Sequence, residues 1–242
     1  MQPCFLCVVF GINIDIMKRF CAFVILLAVA LPVLAQQIEE REPGSFSGVR
    51  VSEGIDVYLQ QGERERVRVE VEGTDPSNIL TEISGSYLKI HRKGNVFGNN
   101  IEAKVYVTYV NIDKLSASSA GSIYSEDPIQ SRNMVISVSS AGSVEVNLDA
   151  GSAEVSCSSA GDVELKGKVG NLRLDASSAG EIDAFDLEAD EVDAQASSGA
   201  SVKFNVSRAL KAHASSGGSI RYRGNPENSA TNSSSGGSVR KL

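Results

Sequence analysis

The sequence predicts an all-β fold: a right-handed parallel β-helix (β-solenoid) with an N-terminal β-strand layer that caps or continues it. Three observations carry this. A Ser-Ser-Ala-Gly unit or a Ser-Ser-Gly variant recurs seven times, starting at Ser118, Ser139, Ser158, Ser177, Ser197, Ser215 and Ser234. The first serines are 21, 19, 19, 20, 18 and 19 residues apart, the period of a solenoid coil and well below that of helical or propeller repeats. Aligned on the second serine, residues of one parity are apolar in nearly every copy, and in all seven at the position four residues on, the signature of stacked strands with a buried face.

The inner columns are explicit. Four positions after the second serine stand Ile123, Val144, Val163, Ile182, Val202, Ile220 and Val239. Two positions before it stand Ala117, Val138, Cys157, Ala176, Ala196, Ala214 and Ser233. A third column, four before it, runs from Leu115 and Ile136 to Ala212 and Thr231. The opposite parity is polar: Ser122, Ser143, Asp162, Glu181, Ser201, Ser219 and Ser238, then Tyr124, Glu145, Glu164, Asp183, Lys203, Arg221 and Arg240 two residues on. With no Trp and 6% aromatic residues, small and β-branched side chains must fill the interior. The small residues ending each unit permit a tight corner and close approach between coils, and stacked serines are placed to hydrogen-bond up the column. At roughly 4.8 Å per coil, seven coils make a column on the order of 30 Å tall.

Upstream, residues 44–112 alternate as strands without the repeat: Val49 and Val51, Ile55, Val57 and Leu59, Val67, Val69 and Val71, Leu88 and Ile90, Val105 and Val107. Gly94 to Asn100 reads as a polar loop. The predicted organisation is a signal peptide over 1–35, a short linker over 36–43, and one solenoid domain over 44–242, with the β-layer at 44–112 and the coils at 113–242.

The signal peptide is read from Lys18 and Arg19 followed by the apolar run Cys21 to Leu34, too short to span a bilayer and ending in Val33-Leu34-Ala35. Met17 is the alternative start. Its removal takes Asp15, Lys18 and Arg19 with it and moves the formal charge from −7 to −8, which argues against a nucleic-acid partner. No further segment reads as transmembrane. The expected location is outside the cytoplasm: periplasm, outer surface or medium. Cys157 alone remains in the mature chain, so no internal disulfide is expected. Its place in a column of alanines marks it as a buried spacer.

Gly44-Ser45-Phe46-Ser47-Gly48-Val49 and Gly54-Ile55-Asp56-Val57-Tyr58-Leu59-Gln60-Gln61-Gly62, followed by the serine-rich coils, resemble the head GIN domain family of auto-transporter adhesin-type proteins over residues 44–239. The naming tripeptide Gly-Ile-Asn stands here as Gly54-Ile55-Asp56. The resemblance implies a secreted or envelope protein of Bacteroidetes-type bacteria with a right-handed β-helix fold. It brings no catalytic or ligand-binding residues.

The candidate site is the acidic cluster Glu145, Asp162, Glu164, Glu181 and Asp183, which the alignment puts on one outward sheet. Converging carboxylates suit calcium, but a flat sheet seldom supplies six oxygens, so a solvated acidic face is the favoured reading and a metal site the sharper alternative. The outward column changes sign from Glu145, Glu164 and Asp183 to Lys203, Arg221 and Arg240. His91 and His213 lie in no metal or nucleophile motif, and the repeat accounts for the serines, so no enzyme and no cofactor are expected. The function expected is a noncatalytic exported binding scaffold of adhesin type, with extracellular or envelope macromolecules as partners. Two alternatives stand: a carbohydrate-active β-helix enzyme with flanking carboxylates, and a structural element that self-associates through the exposed C-terminal edge.

Overall fold

The structure, a computed structural model, describes residues 37–94 and 101–242; the expected signal peptide and most of the expected polar loop lie outside the described residues. Among them no helix is long and apolar enough to cross a membrane.

After each serine-rich corner the chain runs out along a first arm, bends, and returns along a second arm to the next corner. Five long strands make the central coils: β9 (Ser122–Val138), β10 (Ser143–Cys157), β11 (Asp162–Ala176), β12 (Glu181–Ala196) and β13 (Ser201–Ala214). They pair in parallel, Val144 against Ile123 and Val163, and Val155 against Ile136 and Leu174. β14 (Ser219–Arg223), β15 (Asn228–Ser233) and β16 (Ser238–Lys241) complete the C-terminal end. The result is a parallel β-solenoid.

The inner columns are where the alternation places them. Ile123, Val144, Val163, Ile182, Val202 and Ile220 are 0% exposed. Burying one such side chain is worth about 1.5–3 kcal/mol, and each coil buries its set only against its neighbours. Burial fails in the last coil, where Ser233 and Thr231 are exposed and Val239 is half-buried. Among the described residues nothing stacks beyond them.

The corners are two-residue turns with both central residues left-handed: Ser140 and Ala141 have φ of 52° and 59°, and Ser178 and Ala179 have 49° and 61°. The turn closes from the Gly142 amide to the Ser139 carbonyl at 2.9 Å, the geometry whose twist suits β-strands. Each corner bonds to the next through its third amide, Ala120 to the Ser140 carbonyl at 3.2 Å and Ala141 to the Ser159 carbonyl at 3.1 Å. The ladder up this column is therefore backbone, not the serine hydroxyls expected from the sequence. In six of the seven repeated corners the fourth residue is glycine, with little space for a Cβ; the fifth corner carries Ala200 there. A Cβ on Gly142 would lie 2.7 Å from the carbonyl of Ala117, and one on Gly180 would lie 2.7 Å from that of Cys157.

The N-terminal layer continues the solenoid out of chain order. β2 (Gly48–Val51) and β3 (Asp56–Gln61) form one coil layer, and β6 (Tyr87–Arg92) leads toward β7 (Glu102–Tyr109) in another. β2 lies in parallel between β6 and β8 (Lys114–Ala117), while β3 lies in parallel between β7 and β9. The earliest coil is thus intercalated, and the chain from β7 to β8 steps over it. The corner from β2 to β3 is Ser52-Glu53-Gly54-Ile55, with φ of 67° and 65° at Glu53 and Gly54 and the Gly54 amide bonded to the Ser119 carbonyl at 3.1 Å. It is an eighth corner with the same left-handed pair and the same bond to the next corner, and Ile55, at its fourth position, is 0% exposed.

β4 (Arg66–Glu72) runs antiparallel to β7, and β5 (Ile79–Ser84) antiparallel to β6, closing the N-terminal end over Val67, Val69 and Ile79. Residues 36–43, expected as a linker, instead contain β1 (Gln37–Arg41), antiparallel to β4. Arg41 fastens it, donating to the carbonyls of Ile79 at 2.6 Å and Pro76 at 2.8 Å. The strand left no apolar period to read because Ile38, its one apolar residue, is exposed.

Candidate functional site

The register of the first arms joins one outward residue from each strand into a single row. It runs Glu40, Arg68, Tyr106, Tyr58, Tyr124, Glu145, Glu164, Asp183, Lys203, Arg221 and Arg240, each directly opposite the next. At about 4.8 Å per strand it spans on the order of 50 Å. Parallel in-register stacking converts a sequence repeat into a surface stripe, here divided into aromatic, acidic and basic segments.

In the aromatic segment Tyr106, Tyr58 and Tyr124 stack with ring centroids 5.3 and 5.2 Å apart and planes inclined by 22° and 23°. The Arg68 guanidinium lies 4.9 Å from the Tyr106 ring centre, a cation–π contact at the N-terminal end of the stack. Burial beside Asp56 raises the Tyr58 pKa, so its hydroxyl stays protonated and able to donate. Because the rings cover one another's faces and Arg68 covers the end at Tyr106, a ligand meets ring edges and hydroxyls.

A two-residue expansion in β9 builds a wall beside this stack. The register between β9 and β10 slips between Val146 and Leu148, and Glu126-Asp127-Pro128 bulges outward, tied by Ser125 Oγ donating to the Asp127 carbonyl at 2.8 Å. Wall, stack, Glu145 and Lys166 enclose a cleft of about 610 Å³. The 21-residue spacing of the first two corners was the sequence signal of this bulge.

Glu145, Asp162, Glu164, Glu181 and Asp183 do come together on the adjoining strands, Glu145 opposite Glu164 and Glu164 opposite Asp183, with Asp162 opposite Glu181 alongside. Two lysines bridge them. Lys166 Nζ lies 2.9 Å from both Glu145 and Glu164, and Lys203 Nζ lies 2.8 Å from Glu181 and 3.2 Å from Asp183. The paired carboxylates raise the pKa of each lysine. Asp162 has no such partner, and burial, with Glu181, Glu164 and Asp183 nearby, raises its carboxyl pKa. Among the described residues no three His, Cys, Asp or Glu side chains are grouped as a metal cage requires. The sequence reading missed Lys166, which follows Glu164 at the next outward position.

A larger groove of about 920 Å³ follows the bend between arms, floored by Met134, Leu172, Val192 and Leu210. Those floor residues are core side chains, 1–3% exposed, and the walls hold ion pairs such as Lys211 to Asp193 at 3.2 Å. The bend itself makes this concavity, and no aromatic residue lines it. His91 lies on β6, 3.9 Å from Glu82, while the exposed His213 lies on β13, so the two do not meet. Cys157 is 2% exposed. Desolvation pushes its thiol pKa up to about 11, and Sγ donates to the Glu181 carbonyl at 3.4 Å.

The family model described as "Putative auto-transporter adhesin, head GIN domain" matches residues 45–226. A search of curated proteins returned no match. Among solved structures the fold is similar to a putative adhesin from Bacteroides fragilis, with a TM-score of 0.78 and 18% identity over 87% of this chain and 99% of that one. It is also similar to a putative lipid binding protein from Parabacteroides distasonis, with 0.67 and 21% over 86% and 96%. A putative adhesin from Parabacteroides merdae gives 0.68 and 18% over 86% and 96%. At these identities the likeness speaks for the fold, and the family match speaks for descent: this chain belongs to the head GIN domain family.

Proposed function

We propose that this protein is an exported, noncatalytic binding protein of adhesin type that engages extracellular or envelope macromolecules through the outward face of its first arms. The observation that carries the reading is the Arg68–Tyr106–Tyr58–Tyr124 stack beside the Glu126–Pro128 wall. Tyr106 is 37% exposed, and the row combines apolar ring edges, hydroxyl donors and flanking charges of both signs. Aromatic residues and arginine are the side chains that most often anchor protein interfaces. Family membership supports the adhesin type, and the apolar run Cys21 to Leu34 supports export.

The carboxylates are poor candidates for glycosidic chemistry, since Lys166 and Lys203 hold four of the five as ion pairs. The Parabacteroides distasonis neighbour's name raises a lipid ligand. Here the solenoid interior is filled by side chains such as Phe204, Leu174 and Val155 at 0% exposure, so a lipid would have to lie on an outer face.

Glycan and matrix-protein arrays probed with wild type and with a Tyr58→Ala/Tyr106→Ala variant test the reading. Binding that the variant loses by tenfold or more is expected. Blank arrays, or binding that the variant retains in full, would count against it.

A further inference from the structure

The two ends of the first-arm sheet are complementary edges. Among the described residues, β16 at one end pairs only with β14, and β1 at the other pairs only with β4. β4 runs antiparallel to β7 and β1 antiparallel to β4, so β1 points the same way as β7, β3 and every later first arm, β16 included. A translated second copy therefore offers β1 to β16 in the parallel sense used throughout the sheet.

Continuing the outward row gives that contact a register. The outward row ends on Arg240 in β16 and begins on Glu40 in β1, and continuing it across the junction sets these opposite charges face to face. Both are exposed. Of the large apolar side chains left exposed, Ile38 and Ile83 lie on the N-terminal edge strands and Leu242 lies at the C-terminal end, 56%, 41% and 63% exposed. The last coil leaves an edge open to pairing, and its inner positions Ser229, Thr231 and Ser233 face solvent. The receiving edge is preformed, because Arg41 ties β1 to Ile79 and Pro76.

We infer that copies of this chain associate head to tail, β16 of one copy pairing in parallel with β1 of the next and Arg240 meeting Glu40. Such a contact uses different surfaces on the two copies and propagates as an open row rather than a closed dimer. It adds solenoid to solenoid along one axis, so each added copy presents its tyrosine stack again.

Sedimentation velocity on the untagged protein over a wide concentration range tests this. Wild type is expected to grow from monomer into linear oligomers, and Arg240→Glu and Glu40→Arg are each expected to weaken growth by about tenfold, since each turns a cross-strand attraction into a like-charge contact. The double swap, Glu40→Arg with Arg240→Glu, is expected to restore it. A wild type that stays monomeric throughout overturns the inference. So does growth that ignores both single changes, or a double swap that fails to restore it. Unchanged circular dichroism and melting of the single variants keep any loss of growth separate from loss of fold.

Discussion

Ala141 and Gly142 are neighbours in one corner with opposite demands. Ala141 holds φ at 59°, a conformation that costs a non-glycine residue about 1 kcal/mol or more. Gly142 leaves 2.7 Å between its missing Cβ and the Ala117 carbonyl. Ala141→Gly is therefore expected to raise stability by about 0.5–1 kcal/mol, and Gly142→Ala to lower it by about 1–3 kcal/mol. Urea unfolding of the two variants checks the pair, and equal signs would contradict the corner geometry. Cys157 gives a second residue-level expectation: buried, with its thiol pKa raised, it should resist iodoacetamide at neutral pH until the protein is unfolded. Prompt alkylation of the native protein would contradict its placement.

Asp162 gives a pH dependence of definite sign. Its folded pKa lies above the unfolded value of 3.8, so the folded state binds this proton more tightly, and the penalty of the charged form sets in as pH rises past 3.8 and is complete above the folded pKa. Asp162→Asn is expected to be more stable than wild type at pH 7, by no more than about 0.5 kcal/mol at so exposed a position. The advantage should vanish below pH 3.8. A variant less stable at pH 7, or an advantage that persists in acid, would reverse the assignment. The inner and outer columns were legible because parity in a strand has only two values and the corners supply the register. The lysine bridges were not, because parity says which face a side chain joins but not which neighbour its flexible end reaches.

At the scale of elements, the layer of β2 and β3 is the least expected feature. It occupies interior positions in both arms although it comes early in the chain, so its burial cannot be inferred from its distance to the first repeated corner. Ile55→Ala is accordingly expected to cost about 2–5 kcal/mol, as at a core site and not as at a terminal cap. A loss under 1 kcal/mol by chemical denaturation would place the layer at the periphery. The eighth corner escaped notice because Ser52-Glu53-Gly54-Ile55 shares backbone geometry with the repeat and only its first letter with Ser-Ser-Ala-Gly. β1 escaped for a different reason: its edge position is secured by Arg41, and no inward apolar period marks it.

For the whole molecule, coil-by-coil burial makes stability a sum of neighbour contacts, and the two ends are unequal. The N-terminal end is closed by β4, β5 and Arg41, whereas β15 and β16 carry polar residues at inner positions. Amide exchange should be fastest over residues 228–241 and slowest over β9 to β12. Uniform protection to the C-terminus in dilute protein would contradict that asymmetry. The long outward row likewise exists only at this scale. Its last seven members could be aligned from the repeat, while Arg68, Tyr58 and Tyr106 joined it through strands whose order the chain does not follow.

The central claim is that the first-arm face, at its tyrosine stack, is the working surface. Oxidative footprinting of the protein alone and with its tightest array probe bound tests it most directly. The account predicts protection of Tyr58, Tyr106 and Tyr124 and of the Glu126–Pro128 wall. Protection confined to the second-arm groove around Leu172 and Leu210, with the three tyrosines labelled as in the free protein, would contradict it.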